Sequence, residues 1–401
     1  MAYFRNNTVN LLNLHYGIHS IAFSGTGAFY IVYLLKAGVP VEGTFGALAL
    51  IVMGRFIIRP IVVPLCVRFG VRALLITGTL LSACQYPLVA RVHGLGWPLL
   101  ELCFVSSLGD AIYWSCYHAY FARLGDTEDR GSQIGIREAI AAIVGIASPV
   151  AASAALVAFG PAIAFGATAF VVAAAAVPIL FTPDMRVARE APGSFRAART
   201  GMLVFMADGW VVAGYFFAWQ IGLFISLGES FLAYGGALAV AAFVGAIGGM
   251  LLGRHIDAGG GMRAVWLAFS SFFFVAAFRA IALGHPAIAV VANAVGSLQS
   301  CLYVPTIMTA VYNAAKRSPC TLRFHALSEG GWDVGCASGC LIVALLTWLG
   351  VPLSVSILTS FLGAAISFGV VRRYYLEHPG LVPDSSLIDL EAAPAHPPPA
   401  E

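Results

Sequence analysis

The chain has 401 residues, of which 60% are hydrophobic and only 10% are charged, and its mean hydropathy is +0.87. Soluble domains carry roughly 25% charged residues, so this composition excludes a soluble globular protein and indicates a membrane protein. The net charge of +3 is not concentrated in a basic patch with interleaved aromatic residues. We therefore expect no nucleic-acid partner.

The sequence also lacks the features of a secreted protein, of a disulfide-bonded protein and of a nucleotide-dependent enzyme. The N-terminal stretch MAYFRNNTVNLLNLHYG has no small-residue cleavage site and continues into an apolar span, so we expect no cleaved signal peptide. The eight cysteines all fall in or beside apolar segments, which predicts free thiols. No Gly-rich loop with a lysine is present to hold nucleotide phosphates. We expect neither an enzyme nor a cofactor.

Apolar runs recur along almost the whole chain. About 20 apolar residues cross a bilayer as a helix, and twelve such runs are separated by charged residues, Gly and Pro. In chain order they cover residues 11–35, 43–67, 73–92, 97–122, 132–158, 161–182, 201–227, 231–255, 263–284, 287–313, 324–349 and 351–372. The sequence predicts an all-α membrane protein with twelve transmembrane helices.

One polar linker and one polar tail divide these spans. The stretch PDMRVAREAPGSFRAART separates the sixth span from the seventh, and the C-terminal residues are Pro-rich and acidic. The sequence therefore predicts an N-terminal six-helix bundle (1–182), a cytoplasmic linker (183–200), a C-terminal six-helix bundle (201–373) and a disordered cytoplasmic tail (374–401).

The distribution of basic residues predicts the orientation. If the N-terminus is cytoplasmic, the 22 lysines and arginines fall at the inner face with the exception of Lys36, Arg55, Arg59, Arg91 and Arg279. Such a bias indicates a multi-pass protein of the cytoplasmic membrane with both termini in the cytoplasm.

Two landmarks recur at one constant offset. The shift that aligns Val67 with Asp257 also aligns GIASP (145–149) in the fifth span with GCASG (335–339) in the eleventh. A shared offset indicates duplication of a six-span unit, and the linker falls at the join. The predicted fold is a 6+6 pseudo-repeat.

With these features the chain resembles the major facilitator superfamily of secondary transporters. The family's signature, G-x-x-x-D-R-x-G-x-R, follows the second span. Here VPLCVRFGVR (63–72) keeps Arg68, Gly70 and Arg72 but has Val63 and Val67 where Gly and Asp are expected. The resemblance implies two bundles that rock about a central cavity lined by spans 1, 4, 7 and 10.

The resemblance also implies a conformational latch between the halves. An echo of the signature follows the eighth span, where GRHIDAGGGMR keeps Gly253 and Asp257, and the loop DTEDRGSQIG places Arg130 in register with the family. Asp257 is expected to contact the start of the fifth span near Arg130, whereas Val67 cannot make the mirror contact. The implied latch residues are Arg68, Gly70, Arg72, Arg130, Gly253 and Asp257.

Two arginines lie inside the second span, in VMGRFIIRPIVVP. Arg55 and Arg59 are spaced i, i+4, as are Glu329 and Asp333 in the eleventh span, so each pair presents two charges on one helix face. The helical rise places the two pairs at similar depth. They could form a charge gate between the halves; the alternatives are a pair with Asp110 inside the N-terminal half, or direct binding of substrate.

Two other carboxylates are candidates for proton coupling. Asp110 lies among aromatic residues in SSLGDAIYWSCYHAYF, where a poorly solvated carboxylate takes up a proton more readily. Its alternative role is a permanently ionised partner for Arg55. Asp208, in FMADGWVVAGYFFAWQ, is the counterpart in the C-terminal half and has no basic neighbour in sequence.

Further polar and aromatic side chains within the spans are candidates for lining the substrate cavity, or alternatively for structural hydrogen bonds. They are His15, His19, Tyr113, Trp114, His118, Trp210, Gln220, Asn293, Gln299, Tyr303 and Trp332. The i, i+4 pairs of His, Met and Cys suit a soft metal but are more often packing, and we expect no metal site. The soft-metal pairs are His15 and His19, Met202 and Met206, and Cys336 and Cys340.

The sequence therefore predicts a monomeric secondary active transporter of a small organic solute, driven by protons through Asp110 or Asp208. The number of ionisable groups within the spans favours a working transporter, because such groups are costly in a membrane unless they are used. A non-transporting receptor or assembly factor on the same fold is the alternative, and a soft-metal carrier is a more distant one.

Overall fold

A computed structural model describes residues 7–124, 130–185, 187, 189–256 and 261–377 of the chain, and this part contains helices and no strands. The first half comprises α1 (Asn7–Ser24), α2 (Tyr30–Lys36), α3 (Val41–Phe69), α4 (Val71–Val89), α5 (Trp97–Leu124) and α6 (Arg130–Leu180). The second half comprises α7 (Ser194–Val212), α8 (Trp219–Ser226), α9 (Phe231–Ile256), α10 (Gly261–Ala282), α11 (Pro286–Lys316), α12 (Thr321–Trp348), α13 (Leu353–Leu358) and α14 (Ser360–Glu377).

Many of these helices are suited to a bilayer. Over the described residues, nine stretches are long and apolar enough to cross a membrane. They are Asn7–Lys36, Val41–Phe69, Ile143–Leu180, Ser194–Ser226, Phe231–Gly248, Met262–Ala282, Pro286–Met308, Thr321–Trp348 and Leu353–Glu377. The more polar α4 and α5 are not among them. This pattern is that of a multi-pass membrane protein.

Two long segments are interrupted at points that matter for the count of spans. Within α6, Gly160 has φ 77 and ψ 170, so two helical arms meet at a residue that leaves the helical conformation. Glycine tolerates positive φ because it has no Cβ, and the break falls between the predicted spans 132–158 and 161–182. Near the N-terminus, a 3-10 turn (Thr26–Phe29) joins α1 to α2 within the single span predicted at 11–35.

A π-helical turn joins α7 to α8. Residues Ala213–Ala218 adopt this conformation inside a segment that the sequence predicts as one regular helix, 201–227. A π-helical turn shifts hydrogen bonding from i+4 to i+5 and is rare outside functional or specially packed positions. It therefore marks a position where the packing of this segment is not that of a regular α-helix.

Glycines allow α7 and α12 to pack closely. Gly331, Gly335 and Gly339 repeat every four residues along α12, and a Cβ on Gly335 would overlap the carbonyl of Met206 on α7. Gly209 on α7 faces the backbone of Trp332 in the same way. Small residues at this spacing let membrane helices approach, which fixes the position of α12 and its two carboxylates.

The two halves are in contact at the end of the protein that carries Lys36. Lys36 Nζ lies 2.8 Å from Glu229 Oε2, and the ring of Phe29 packs edge-on against those of Phe231 and Tyr234. One apolar core runs through both halves here. Toward the end where the linker lies, the apolar residues form two separate clusters. One contains second-half residues alone. The other contains first-half and linker residues, together with Leu322 and Cys320 from the second half.

Candidate functional site

Four charged side chains meet between α3 and α12. Asp333 Oδ2 accepts hydrogen bonds from Arg59 Nη2 at 2.6 Å and Nε at 2.9 Å, and Asp333 Oδ1 lies 3.1 Å from Arg55 Nε. Glu329 Oε2 lies 3.5 Å from Arg55 Nη2 and 3.8 Å from Arg59 Nη2. This charge cluster (Arg55, Arg59, Glu329 and Asp333) joins the two halves of the protein.

The charge cluster is buried. Asp333 is 0% exposed, and Arg59, Arg55 and Glu329 are 3%, 8% and 9% exposed. Charges removed from water are costly unless each has a close partner, and here each carboxylate lies against both arginines. The i, i+4 spacing on both helices produces this arrangement, because it aligns two charges on each of the facing surfaces.

The cluster is also tied to α5. Arg59 Nη1 donates to Ser115 Oγ at 2.9 Å, and Glu329 Oε1 lies 3.8 Å from His118 Nε2. The ring of His118 in turn stacks on His325, one turn before Glu329, with centroids 6.1 Å apart. The α5 helix therefore contacts both sides of the cluster.

Asp110 is not part of the charge cluster in this conformation. Its carboxylate makes no hydrogen bond or ion pair within the described part of the chain, although it is close enough to Arg55 and Arg59 for their charges to act on it. The pair between Asp110 and Arg55, which the sequence leaves open, is thus not formed here. Both arginines turn toward α12.

Asp208 is held by two aromatic side chains rather than by a cation. It accepts hydrogen bonds from Trp332 Nε1 at 3.2 Å and from Tyr303 OH at 3.3 Å. Trp332 also contacts the charge cluster, because the guanidinium of Arg55 lies 5.2 Å from the centre of its ring. Trp332 therefore touches both a cluster arginine and the candidate proton carrier.

The histidines of α1 are part of an aromatic group with α5. His15 Nδ1 is 2.7 Å from the carbonyl of Ala175, and its Nε2 is 3.2 Å from Tyr113 OH. His19 stacks on Tyr113 with centroids 4.5 Å apart, and Trp114 lies edge-on to both rings. This aromatic group lies on α1 and α5, two of the elements expected to line a cavity.

No group of three or more His, Cys, Asp or Glu side chains with metal-binding geometry occurs among the described residues. All eight cysteines carry free thiols. Both ring nitrogens of His15 have protein neighbours.

Several predicted cavity residues make hydrogen bonds that join neighbouring helices. Trp210 Nε1 donates to the carbonyl of Thr359 at 2.9 Å, which ties α7 to the α13–α14 junction. Asn293 accepts from Trp219 Nε1 at 3.0 Å and donates to the Ala237 carbonyl at 3.1 Å. Gln220 is buried on α8. These side chains are not brought to the charge cluster.

Arg279 on α10 is one of the five basic residues that do not fall at the inner face, and the sequence predicts no functional role for it. It is 6% exposed and has no carboxylate partner among the described residues. Its Nη1 donates to the Tyr215 carbonyl at 2.8 Å, and its guanidinium lies 4.1 Å from the Tyr215 ring and 5.0 Å from the Trp219 ring. Tyr215 OH donates to Gln299 Oε1 at 2.7 Å. This Arg279 network surrounds the π-helical turn.

The predicted latch is described only in part. Gly70 has φ 86 at the junction of α3 and α4, Arg72 Nη1 donates to the Thr182 carbonyl at 2.8 Å, and the Arg72 backbone nitrogen donates to Asp184 Oδ1 at 3.3 Å. These bonds connect α4 to the end of α6 and the linker. Asp257 lies outside the described residues, and so do the side chain of Arg130 and the surroundings of Gly253. Arg68 lies beside Phe69, 5.1 Å from its ring.

Several solved structures share this arrangement of helices. The POT family transporter PepTSo aligns with a TM-score of 0.63 at 12% identity, covering 92% of this chain and 97% of that one. The human organic anion transporter MFSD10 (TETRAN) aligns with a TM-score of 0.66 at 15% identity, covering 91% and 99%. The nucleoside transporter NupG aligns with a TM-score of 0.66 at 10% identity, covering 92% and 100%. At these identities the similarity concerns the fold.

The sequence itself carries the family assignment. No curated protein matches the chain, but the profile of the Major Facilitator Superfamily matches residues 13–322. This match confirms the resemblance noted in the signature loops, and together with the structural neighbours it indicates a transporter and not an enzyme. The chain belongs to the major facilitator superfamily of secondary transporters.

Proposed function

We propose that this protein moves a small organic solute across the cytoplasmic membrane by alternating access, coupled to protons. The observation that carries the proposal is the buried charge cluster between α3 and α12. Arg55 and Arg59 from one half share Asp333 and Glu329 from the other. Ion pairs at the interface between two bundles can break and form again as the bundles rotate against each other. A purely apolar interface has no such specific pairs of residues.

The proposed framework is twelve spans in a 6+6 arrangement. The nine apolar stretches support this count once Ile143–Leu180 is divided at Gly160 and the helices α4 and α5 are added. The bundles then correspond to residues 1–182 and 201–373, joined by the linker 183–200 and followed by the tail 374–401. Since both bundles belong to one chain, the proposed transporter acts as a monomer.

In this framework the described conformation is closed at the Lys36 end. The ion pair of Lys36 with Glu229 and the shared apolar core lie at that end, while the core divides toward the linker. With both termini in the cytoplasm, the closed end is the outer one. The conformation is then the inward-facing side of the transport cycle.

The charge cluster acts as the gate in this mechanism. When α3 and α12 part, Arg55 and Arg59 lose Asp333 and Glu329 and need another partner, because unpaired buried cations are strongly disfavoured. Asp110, which has no ion-pair partner among the residues that the structure describes, lies within range of both arginines. The two pairings considered from the sequence therefore become successive states of one cycle.

Asp110 and Asp208 are the carboxylates available for proton coupling. Within the described part of the chain, neither forms an ion pair, and Asp208 accepts hydrogen bonds only from the neutral donors Trp332 and Tyr303. A proton on Asp208 would alter its bonds to Trp332, which contacts Arg55. This chain of contacts links protonation to the gate.

The same geometry bears on the solute. Both cluster arginines are engaged by carboxylates, while the half-buried Asp208 lies beside the aromatic rings of Tyr303 and Trp332. A carboxylate flanked by rings suits a hydrogen-bond donor or a positive charge on the ligand. We therefore favour a small organic solute with an amine or comparable donor group.

A charge exchange between the halves tests the gate. In Arg59→Asp and in Asp333→Arg, like charges face each other, and both variants should lose solute uptake into proteoliposomes under a pH gradient. The double variant restores opposite charges and should recover a substantial part of the uptake. Spin labels at Leu95 and Leu349, exposed near the Lys36 end of the two halves, would report closure without requiring a known solute.

The exposed pair of Arg91 and Glu101, 3.9 Å apart on one half, provides the control. Arg91→Asp should leave uptake and the label distances unchanged, since exposed pairs contribute little. Uptake that stays absent in the double variant, with the label distances unchanged from the single variants, would contradict the gate. Normal closure without solute-linked proton flux across a panel of cationic, neutral and anionic metabolites would favour a receptor.

A further inference from the structure

Arg279 is a buried cation of the second half that has no carboxylate partner in the described part of the chain. It lies in the last turn of α10, within the apolar stretch Met262–Ala282, and is 6% exposed. Its partners there are the Tyr215 carbonyl, 2.8 Å from Nη1, and the rings of Tyr215 and Trp219. A charge inside a membrane is costly unless an opposite charge or water compensates it. Arg279 thus differs from the arginines of the charge cluster, which lie against two carboxylates.

Two buried N–H donors of this network have no acceptor among the described residues. They are Nε of Arg279 itself and Nε2 of Gln299 on α11. Gln299 is 3% exposed, and its Oε1 already accepts from Tyr215 OH at 2.7 Å. A buried donor without an acceptor is unfavourable, and more so when the donor is charged. Two such donors beside a buried positive charge favour an acceptor that carries negative charge.

Tyr215 and the helix α11 hold the two donors near each other. The guanidinium carbon of Arg279 lies 4.1 Å from the centre of the Tyr215 ring, and the hydroxyl of the same ring is bonded to Gln299. Gly296 on α11 lets the guanidinium approach the helix backbone, because a Cβ at this position would overlap Arg279 Nη2. Gln299 follows Gly296 by three residues and so lies on the same face of α11, about one turn further along. Both donors therefore border one region beside the π-helical turn Ala213–Ala218.

The charge and the burial of this region limit the kind of anion. It contains one guanidinium, so one negative charge compensates it, whereas a second would itself be buried without a partner. Arg279 and Gln299 are both nearly inaccessible from outside, which favours a small anion. Donors of these two types form hydrogen bonds with a halide or with a carboxylate oxygen, and the bond from the guanidinium is strengthened by charge.

We propose that Arg279 and Gln299 bind a small monovalent anion beside the π-helical turn of the second half. The anion accepts from Arg279 Nε and Gln299 Nε2 and neutralises the guanidinium within the apolar stretch. A free halide such as chloride and the carboxylate group of a small organic acid present the same chemistry to these donors. Because α10, α11 and the π-helical turn each contribute a side chain, binding holds these three segments together. The site is independent of the transport function proposed above.

Anion binding can be measured on the full-length protein in neutral detergent, after exchange into gluconate, an anion too bulky for a site between packed helices. The apparent Tm should rise saturably when chloride replaces gluconate at constant ionic strength, because a ligand that binds the folded state stabilises it. Bromide should act as chloride does and should also quench part of the tryptophan fluorescence saturably, since Trp219 lies 5.0 Å from the guanidinium. Acetate is the second arm: a rise in Tm equal to that with chloride supports the site and assigns it to carboxylate groups as well, and a rise with halides alone assigns it to a halide.

Two variants locate the effect. Arg279→Gln removes the positive charge and should abolish both the chloride-dependent rise in Tm and the saturable bromide quenching. Gln299→Glu keeps an acceptor for Tyr215 OH and places a carboxylate beside Arg279, so it should raise the Tm of the chloride-free protein while abolishing the chloride response. This second variant is decisive if Arg279→Gln does not fold. Gln85→Glu is the matched control, because Gln85 Oε1 also accepts from a hydroxyl, that of Ser106 at 3.0 Å, but lies in the first half; it should keep the chloride response.

Two results would overturn the proposal. The first is an apparent Tm that is the same in chloride, acetate and gluconate, which would mean that the aromatic rings and the carbonyl alone accommodate the guanidinium. The second is a chloride response that persists unchanged in Gln299→Glu, and in Arg279→Gln where that variant folds, which would place the anion elsewhere on the protein.

Discussion

The guanidinium of Arg55 lies 5.2 Å from the centre of the Trp332 ring. The same indole donates through Nε1 to Asp208 at 3.2 Å, so one side chain contacts the charge cluster with its face and a candidate proton carrier with its edge. Among the described residues, Tyr303 is the one other hydrogen-bond donor to Asp208. Trp332 is therefore the residue through which we expect a change at Asp208 to reach the charge cluster.

Trp332→Phe separates these two roles. Phenylalanine keeps a ring for Arg55 but removes the Nε1 donor, and the loss of one such hydrogen bond corresponds to about 1 kcal/mol. We expect proton-coupled uptake to fall while the spin-label distances at the Lys36 end stay as in the wild type. Trp332→Leu removes both contacts and should disturb the distances as well.

Trp348→Phe is the control, because Trp348 is 70% exposed at the end of α12. It should change neither uptake nor distances. Wild-type coupling in Trp332→Phe would show that Asp208 does not act through the indole.

Asp333 should contribute more to stability than Glu329, although both are carboxylates of the charge cluster. Asp333 accepts two hydrogen bonds from Arg59 and contacts Arg55, whereas the nearest oxygen of Glu329 is 3.5 Å from Arg55. Asp333→Asn leaves two buried cations poorly paired, at a cost of about 3–5 kcal/mol. Glu329→Gln should cost clearly less.

Thermal unfolding in detergent would measure this order through the apparent Tm. Asp333→Asn should unfold well below Glu329→Gln, and Glu101→Gln, in an exposed pair, should match the wild type. A Glu329→Gln variant that is the less stable of the two would contradict the assignment of Asp333 as the principal partner.

The four residues that meet in the charge cluster can be picked out in the sequence, while their role as a gate stays a prediction. Two i, i+4 pairs of opposite charge at similar depth are visible without a structure, because helical rise and periodicity are local properties. The choice between Asp110 and the pair on α12 was not accessible in this way. It depends on how the two halves are rotated against each other, which is set by contacts such as Gly335 with the Met206 backbone rather than by the sequence of α3.

The Arg279 network shows a different limit. Hydrophobic periodicity predicts one regular helix over 201–227, and nothing in that pattern signals a π-helical turn at Ala213–Ala218. In the sequence, Arg279 lies near the end of an apolar run, where a basic residue usually flanks a membrane span, so its buried contacts cannot be predicted. Those partners, the Tyr215 carbonyl and two aromatic rings, lie on another helix and carry no charge that sequence spacing could reveal.

Gly296 on α11 is the position most directly coupled to Arg279. A Cβ at Gly296 would overlap Arg279 Nη2, so Gly296→Ala must displace the guanidinium from its place beside Tyr215. We expect a loss of about 1–3 kcal/mol in stability, as for other overpacked sites. Gly369 on α14 has no atom close to its added Cβ, and Gly369→Ala should be neutral or stabilising by up to about 1 kcal/mol.

Thermal unfolding of the two variants side by side would measure this difference, and the fluorescence of Trp219 would report movement of the guanidinium that lies 5.0 Å from its ring. Equal stability of Gly296→Ala and Gly369→Ala, with unchanged fluorescence, would show that Arg279 does not depend on its present position.

The ion pair of Lys36 and Glu229 combines a weak attraction with an unfavourable backbone conformation. Both side chains are substantially exposed, 39% and 49%, which limits such a pair to about 0.2–1 kcal/mol. Glu229 also has φ 55, a left-handed conformation that costs a residue other than glycine about 1 kcal/mol. Glu229→Gly should therefore lose the attraction, gain relief of strain and leave the apparent Tm almost unchanged.

Glu229→Ala is the informative comparison, because it loses the same ion pair but keeps the Cβ and the left-handed backbone. It should unfold at a lower temperature than Glu229→Gly. In both variants the spin-label distance between Leu95 and Leu349 should broaden toward longer values, since the ion pair joins the two halves at this end. A narrow distance distribution in both would mean that the contacts of Phe29 with Phe231 and Tyr234 are sufficient to keep this end closed.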